Sequence, residues 1–228
     1  MARIARVVVS GFPHHVVQRG NRRQKVFFRD EDYKEYLRLL GEHSRQSSLD
    51  IIAYCLMPNH VHLIVVPAKA ESLAKAIAET HRNYTRMINF RERWRGYLWQ
   101  GRFSSYVLDE QYLLSATRYI LLNPVRAKIV ERPWDYKWSS AQHHLKIKTD
   151  PLISEKFLST LIDDWKEFLQ AEVEQKIVSM LRLHEGTGRP LGNVAFIEKL
   201  EKILGRSLKK KKPGPKNPQN SRRKNNNN

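Results

Sequence analysis

The chain has 228 residues, and its 41 Lys and Arg residues against 23 Asp and Glu give a formal net charge of +18 at pH 7. A charge of this size indicates a polyanionic partner, either nucleic acid or an anionic membrane surface, and by itself indicates no fold. No apolar run approaches the roughly 20 residues of a membrane-spanning helix, and the first ten residues lack the apolar core of a signal peptide, so we expect no membrane association. The only cysteine, Cys55, excludes a disulfide within the chain and fits a cytoplasmic protein.

The hydrophobic pattern predicts alternating strands and helices over the first half of the chain. Strands are expected at residues 13–19, 51–57, 60–66 and 102–108, with one helix beginning at Asp30 and a longer one at residues 71–90. The order strand, helix, strand, strand, helix, strand is typical of a split βαβ arrangement. The sequence therefore predicts an α+β fold with a ferredoxin-like antiparallel sheet.

Two histidines stand one residue apart at the start of the third strand. Because side chains alternate between the faces of a strand, His60 and His62 point the same way, while Val61, Leu63 and Val65 point the other way. Two imidazoles that converge on one point can bind a divalent metal ion. By itself the pair is equally consistent with an ordinary polar surface.

A helix is predicted directly after the fourth strand, with Asp109 as its N-cap. Tyr119 and Asn123 are four residues apart, so they share one face of that helix one turn apart. Ile64 and Val66 lie on the histidine face of the sheet and need an apolar cover. This helix is the candidate cover, which would bring Tyr119 over the histidine pair.

The combination of histidine, apolar residue, histidine on a strand and a tyrosine-bearing helix resembles the single-tyrosine HUH endonucleases. Within them, four segments are similar to the transposases associated with repetitive extragenic palindromes (REP elements): Gly20-Asn21-Arg22, residues 99–103, residues 119–125 and Trp138-Ser139-Ser140. The resemblance covers residues 1 to about 145. It implies an enzyme that cleaves and rejoins single-stranded DNA at hairpin-forming repeats, as a metal-dependent endonuclease and strand transferase.

The resemblance also implies roles for particular residues. Tyr119 would be the nucleophile that becomes joined to a 5′-phosphate, and His60, His62 and Asn123 would hold Mg²⁺ or Mn²⁺. Imidazole ligands also suit Zn²⁺, Co²⁺ and Ni²⁺. Asn123 precedes Pro124 and is also a good start for a new helix, and classical relatives often carry Gln at this position, so direct coordination and capping both remain open.

Basic side chains near these segments are candidates for binding DNA, which is expected to be single-stranded or a hairpin. Trp99 is the candidate for stacking on unpaired bases, whereas Phe103 is expected in the core. The candidates for phosphate contact are Arg19, Arg22, Arg23, Arg102, Arg118, Arg126 and Lys128. A noncatalytic or domesticated nucleic-acid-binding protein and a two-histidine metal hydrolase are the alternatives, and the chain could act as a monomer or a homodimer at the nucleoid.

The remainder of the chain differs in character from residues 1–145. Residues 146–205 are expected to form a helical appendage, with one helix through residues 157–169, a second through 173–181, and a third capped by Asn193 and ended by Gly205. Residues 186–192 are either part of a DNA-binding module or a linker. Residues 206–228 carry nine Lys and Arg and no acid, which predicts a disordered tail whose Lys209, Lys210, Lys211 and Lys212 contact phosphates without specificity.

Overall fold

The computed structural model describes residues 5–209. Its sheet has four strands, β1 (His14–Arg19), β2 (Leu49–Met57), β3 (His60–Pro67) and β4 (Ser104–Val107). Every neighbouring pair is antiparallel, and the order across the sheet is β2-β3-β1-β4. Helices α1 (Asp30–Gln46) and α2 (Ser72–Glu92) connect the strands, so the predicted ferredoxin-like fold is confirmed.

The two faces of the sheet bury different sets of side chains, as the alternation along β3 requires. Val61, Leu63 and Val65 pack against α1 and α2 in one apolar cluster. Ile64 and Val66 lie in a second cluster with residues of α3 (Glu110–Leu121). The helix after β4 therefore covers the histidine face, as the sequence predicts.

Asp109 caps the start of α3, and Pro124 lies just after the end of this helix. The backbone N–H of Tyr112 donates to Oδ1 of Asp109, 2.9 Å away. A short helix, α4 (Asn123–Arg126), then begins at the residue before Pro124. Asn123 is thus the first residue of a new helix, which ends at Arg126.

The predicted single helix through residues 157–169 is wrong. The structure has a 3₁₀ turn at Glu155–Phe157 and irregular turns, and α6 (Trp165–Gln170) begins only after Asp164. Oδ1 of Asp164 accepts the N–H groups of Lys166 and Glu167 at 2.8 and 3.0 Å. A strong N-cap in the middle of an apolar periodic stretch therefore divides it, because the cap fixes where helical geometry begins. A one-turn helix, α5 (Ala141–His144), precedes this region.

The two remaining helices agree with the sequence. Helix α7 spans Gln175–Thr187 and α8 spans Val194–Leu204. Oδ1 of Asn193 accepts the N–H of Phe196 at 2.8 Å, and Gly205 follows α8 with a φ of +60°. Leu158, Ile162, Leu169, Val178 and Leu181 all join the cluster on the histidine face, so this region packs directly on the sheet.

Both edge strands are covered by later parts of the chain. The N–H of Leu56 donates to the carbonyl of Trp138, and the N–H of Ser140 to that of Tyr54. On the far side, Leu191 forms a parallel bridge with Leu108 just beyond β4. Unpaired sheet edges invite pairing with other chains, so these contacts protect both edges. Residues 186–192 therefore include Leu191, the residue that pairs at the β4 edge of the sheet.

The chain still packs against the rest of the protein after α8 ends, in a stretch that the sequence predicts to be disordered. Leu208 is 4% exposed and contacts a small cluster that includes Val7, Val9 and Leu200. The expected disordered tail therefore does not begin at residue 206. Residues 210–228, which include Lys210, Lys211 and Lys212, lie outside the described residues, as do residues 1–4. Within residues 5–209, no helix is both long and apolar enough to cross a membrane.

Candidate active site

The histidine pair lies where β3 begins. Its rings are 4.9 Å apart between centroids and nearly perpendicular, at 80°. His62 is fully buried and His60 is half-buried. Burial of His62 does not fit an ordinary polar surface, since a buried imidazole requires partners for its nitrogens.

Hydrogen bonds set the proton on each ring. Nδ1 of His60 is 2.6 Å from Oδ1 of Asn59, an oxygen that can only accept, so His60 donates from Nδ1 and its Nε2 carries a lone pair. Nδ1 of His62 is 2.9 Å from Nε2 of His15. The tautomer of His62 therefore depends on that of His15.

The tautomer of His15 is coupled to the hydroxyl of Tyr106. Nδ1 of His15 is 2.6 Å from the Tyr106 hydroxyl, which donates its one proton to the carbonyl of Leu181 in α7, 3.2 Å away. With that proton on the Leu181 carbonyl, His15 donates from Nδ1 and accepts at Nε2, and His62 in turn donates from Nδ1. The lone pair of His62 is left on Nε2, a buried nitrogen that has no hydrogen-bond partner in residues 5–209.

Burial keeps both rings neutral. It lowers the pKa of His60 to about 3, with a smaller contribution from the nearby Arg19 guanidinium. Burial also holds the pKa of His62 well below its usual value, with His60 and His15 adding to the effect. A neutral imidazole is the form that binds a metal ion, so the pair presents two lone pairs at neutral pH.

Tyr119 faces this pair from α3. Its ring centroid is 5.9 Å from that of His62, at 86°, and the side chain is 4% exposed. The guanidinium carbon of Arg126, an exposed residue at the end of α4, lies 4.5 Å from the centre of the Tyr119 ring. One chain therefore brings a phenol, an imidazole and a guanidinium together.

Asn123 lies one turn beyond Tyr119, at the start of α4. Its side-chain amide has a buried nitrogen without a hydrogen-bond partner in residues 5–209. Oxygen and nitrogen of an amide are assigned from their partners, so an orphaned end is equally suited to be the oxygen that faces a cation. The described residues contain no metal-binding cluster of three His, Cys, Asp or Glu. The available donors, two imidazoles and an amide, fit a divalent cation.

A groove of about 690 Å³ opens beside His60. Arg19, Arg23 and Arg102 line it, and Arg182 and Glu185 of α7 belong to the same lining. The Arg19 guanidinium donates to Oε1 of Glu185 at 3.1 Å. Neither α7 residue stands out in the sequence, because nothing local indicates that α7 reaches this end of the sheet.

The other predicted DNA-binding residues have varied positions. Arg22 and Lys128 are exposed with positive φ angles of 51° and 57°. Arg118 donates from Nε to the carbonyl of Phe168, 2.8 Å away, and stacks on that ring, so it holds α6. Lys209 pairs with Glu198 at 3.3 Å.

Trp99 does not present its ring to solvent. It is 7% exposed, with its ring centroid 4.7 Å from that of His81 and 6.0 Å from that of Tyr84. The prediction that Trp99 stacks on bases is therefore corrected, because core side chains already cover the ring. Phe103, which was expected in the core, is buried there.

The chain is similar to known proteins in sequence and in fold. A family model described as transposase IS200 like matches residues 8–123, just over half of the chain. A Haemophilus influenzae protein named as a REP-associated tyrosine transposase is 28% identical over 113 residues, which cover 45% of this chain and 64% of that relative. The match therefore spans less than two thirds of the relative's length.

A solved structure shares the fold. It is described as a REP-associated tyrosine transposase bound to a REP hairpin, and it superposes with a TM-score of 0.55 at 19% sequence identity. The superposition covers 68% of this chain and 91% of that one. Together, these matches confirm the resemblance to the REP-associated tyrosine transposases.

Proposed function

The chain belongs to the IS200-like transposase family, and we propose that it cleaves and rejoins single-stranded DNA at hairpin-forming palindromic repeats through a covalent phosphotyrosine. The observation that carries this proposal is the position of Tyr119 against His62 within one chain. A similar protein of the same fold is described as bound to a REP hairpin. The DNA would be that of the nucleoid in the cytoplasm.

In the proposed reaction, the phenolic oxygen of Tyr119 attacks a backbone phosphorus. The new bond joins that oxygen to the 5′-phosphate, the bond from phosphorus to the 3′-oxygen breaks, and the departing oxygen takes up a proton as the phenol loses one. Covalent storage of the phosphoryl group allows the ends to be rejoined without nucleotide hydrolysis. The reverse attack by a 3′-hydroxyl restores the free tyrosine.

Neighbouring side chains would assist this exchange. Arg126, whose guanidinium lies over the Tyr119 ring, would favour negative charge on the phosphate that this tyrosine attacks. Nε2 of His60, Nε2 of His62 and the amide of Asn123 would hold Mg²⁺ or Mn²⁺. When bound, such an ion draws negative charge off the phosphate oxygens.

An end-labelled hairpin with an unpaired flank tests the proposal. With the label on the 3′ side of the cleavage site, the wild-type protein should retain label on a denaturing gel, and Tyr119→Phe should not. Tyr112→Phe is the matched control, because Tyr112 lies on the same helix and its hydroxyl faces the Met180 sulfur at 3.5 Å. Binding without any retained label in the wild type would support the noncatalytic alternative.

A further inference from the structure

Three aromatic rings at the carboxyl end of α2 are left outside the core. Phe90 and Tyr97 are 88% and 85% exposed, and Trp94 is 43% exposed. Three exposed rings within one short segment are typical of a binding surface, since aromatic side chains otherwise bury large apolar areas. We call Phe90, Arg93, Trp94, Arg95 and Tyr97 the aromatic–arginine surface.

Hydrogen bonds hold the backbone of this surface. Helix α2 ends as Arg93 adopts a φ of +55°, and the N–H of Trp94 donates to the carbonyl of Asn89 at 2.9 Å. The side-chain amide of Asn89 donates to the carbonyl of Gly96 at 3.0 Å, where φ is +97°. The rings of Trp94 and Phe28 are also nearly perpendicular, with centroids 5.5 Å apart. Trp94 and Tyr97 therefore lie on or beside a hydrogen-bonded turn, and Phe90 lies on the last turn of the helix before it.

The charge of the surface favours an anionic partner. Arg93 and Arg95 are exposed, and neither has an acidic side chain within 4 Å in the described part of the chain. Arg91, by contrast, is paired with both Asp32 and Glu92. Unpaired guanidinium groups that alternate with aromatic rings suit a strand that presents phosphates and bases in turn. A purely apolar partner would leave these charges desolvated and unpaired.

The chain that carries the aromatic–arginine surface leads directly to the groove beside His60. The carbonyl of Leu98, next to Tyr97, accepts the N–H of Asn21 at 2.8 Å, and the N–H of Gln100 donates to the carbonyl of Arg19 at 2.8 Å. Gln100 and Arg19 both line that groove. Tyr97 therefore lies three residues before Gln100, a residue of the groove lining.

We propose that the aromatic–arginine surface binds the unpaired DNA that flanks the hairpin, with bases stacked on Tyr97 and Phe90 and phosphates at Arg93 and Arg95. This inference rests on the proposed function for the position of the DNA at His60. It assigns to exposed rings the stacking role that the buried Trp99 does not perform.

Binding of two oligonucleotides tests the proposal. Fluorescence anisotropy compares a blunt hairpin with the same hairpin carrying an unpaired flank, in a Tyr119→Phe background so that no covalent adduct forms. Tyr97→Ala should weaken binding of the flanked hairpin about tenfold and leave the blunt hairpin unchanged. Ile147→Ala is the matched control, because Ile147 is an apolar side chain that is 61% exposed elsewhere.

A second pair of variants tests the charges. Arg95→Gln should flatten the dependence of log affinity on log salt by about 0.7 for the flanked hairpin. Arg82→Gln, which removes the same charge from an exposed position on α2 where Arg82 pairs with Glu79, should change this slope less.

Three results would overturn the proposal. They are an equal loss of affinity for both hairpins, no loss for Tyr97→Ala, or a dimer that Tyr97→Ala dissociates in sedimentation, which would make the surface an interface between copies. If the wild-type protein forms no covalent adduct but the loss is confined to the flanked hairpin, the surface stands and the phosphotyrosine function fails.

Discussion

Nε2 of His15 lies 2.9 Å from Nδ1 of His62, and this contact determines which nitrogen of His62 is free. The chain of hydrogen bonds continues through the Tyr106 hydroxyl to the carbonyl of Leu181 in α7. A backbone carbonyl in α7 is therefore linked by hydrogen bonds to the tautomer of a residue at the start of β3. His15 acts through His62, so it is a positioning residue.

Removing the Tyr106 hydroxyl should weaken metal binding without unfolding the protein. Tyr106→Phe leaves Nδ1 of His15 without its acceptor, so the tautomer of His62 is no longer fixed, and we expect Mn²⁺ affinity to fall about 10- to 100-fold. Electron paramagnetic resonance of free Mn²⁺ measures this. Tyr36→Phe is the control, because it removes another buried hydroxyl, one that lies 3.0 Å from Nε2 of His81. Equal Mn²⁺ affinities in the two variants would contradict the positioning role.

Asn123 provides a separate test of the metal site. If its amide oxygen is a ligand, Asn123→Asp should bind Mn²⁺ more tightly, because a carboxylate oxygen is the stronger donor. Asn123→Ala should bind it about tenfold more weakly. Titration calorimetry with Mn²⁺ distinguishes this from capping alone, in which case both variants would keep the wild-type metal affinity and differ only in thermal stability.

His14 makes folding stability depend on pH. Its Nδ1 is 2.7 Å from the carbonyl of Phe12, and its Nε2 accepts the N–H of Val9 at 3.2 Å, so the ring must be neutral. Burial lowers the pKa of His14 to about 4, below the value of about 6.5 in the unfolded chain. Between these values only the unfolded chain takes up the proton, so the free energy of unfolding falls as the pH falls.

Urea unfolding at a series of pH values measures how the free energy of unfolding changes with pH. Above pH 6.5 His14 should contribute no pH dependence, and between pH 6.5 and 4 it should contribute a loss of about 1.4 kcal/mol per pH unit. Glutamine in place of His14 (His14→Gln) can keep both hydrogen bonds but does not titrate. Over the same pH range, the free energy of unfolding of this variant should therefore fall by about 1.4 kcal/mol less per pH unit than that of the wild-type protein. Identical slopes for the two proteins over this range would refute the assignment.

The basic residues after Lys209 should add affinity without specificity. Residues 210–228 carry seven Lys and Arg and no acid, a composition that favours phosphate contact by counterion release. A chain ending at Lys209 keeps the buried Leu208. It should bind more weakly at low salt, show a flatter salt dependence and cleave at the same position. A shifted cleavage site would show that the segment reads sequence.

Local rules predict much of the fold and the centre of the site. Alternation along β3 places His60 and His62 on one face, and the Asp109 cap fixes the register of α3, so Tyr119 could be expected over His62. These features depend on neighbours in sequence. The division of residues 157–169 into separate turns is also local, but the Asp164 cap lies within an apolar periodicity that conceals it.

The features that the sequence did not predict depend on contacts between distant segments. His15 is 47 residues from His62, and only the register of β1 against β3 brings them together. Trp99 and Tyr97 are two residues apart in an arginine-rich stretch, yet one is buried and the other is 85% exposed. Composition cannot distinguish these two rings, because their exposure depends on how the segment docks beside Asn21.

Mapping the covalent bond tests the central claim most directly. After reaction with a flanked hairpin and nuclease digestion, mass spectrometry of the peptides should find a nucleotide phosphate on Tyr119, and should find none when His62 is replaced by Ala. A nucleotide attached to any other residue, or an adduct that forms equally well in the His62→Ala protein, would contradict the account.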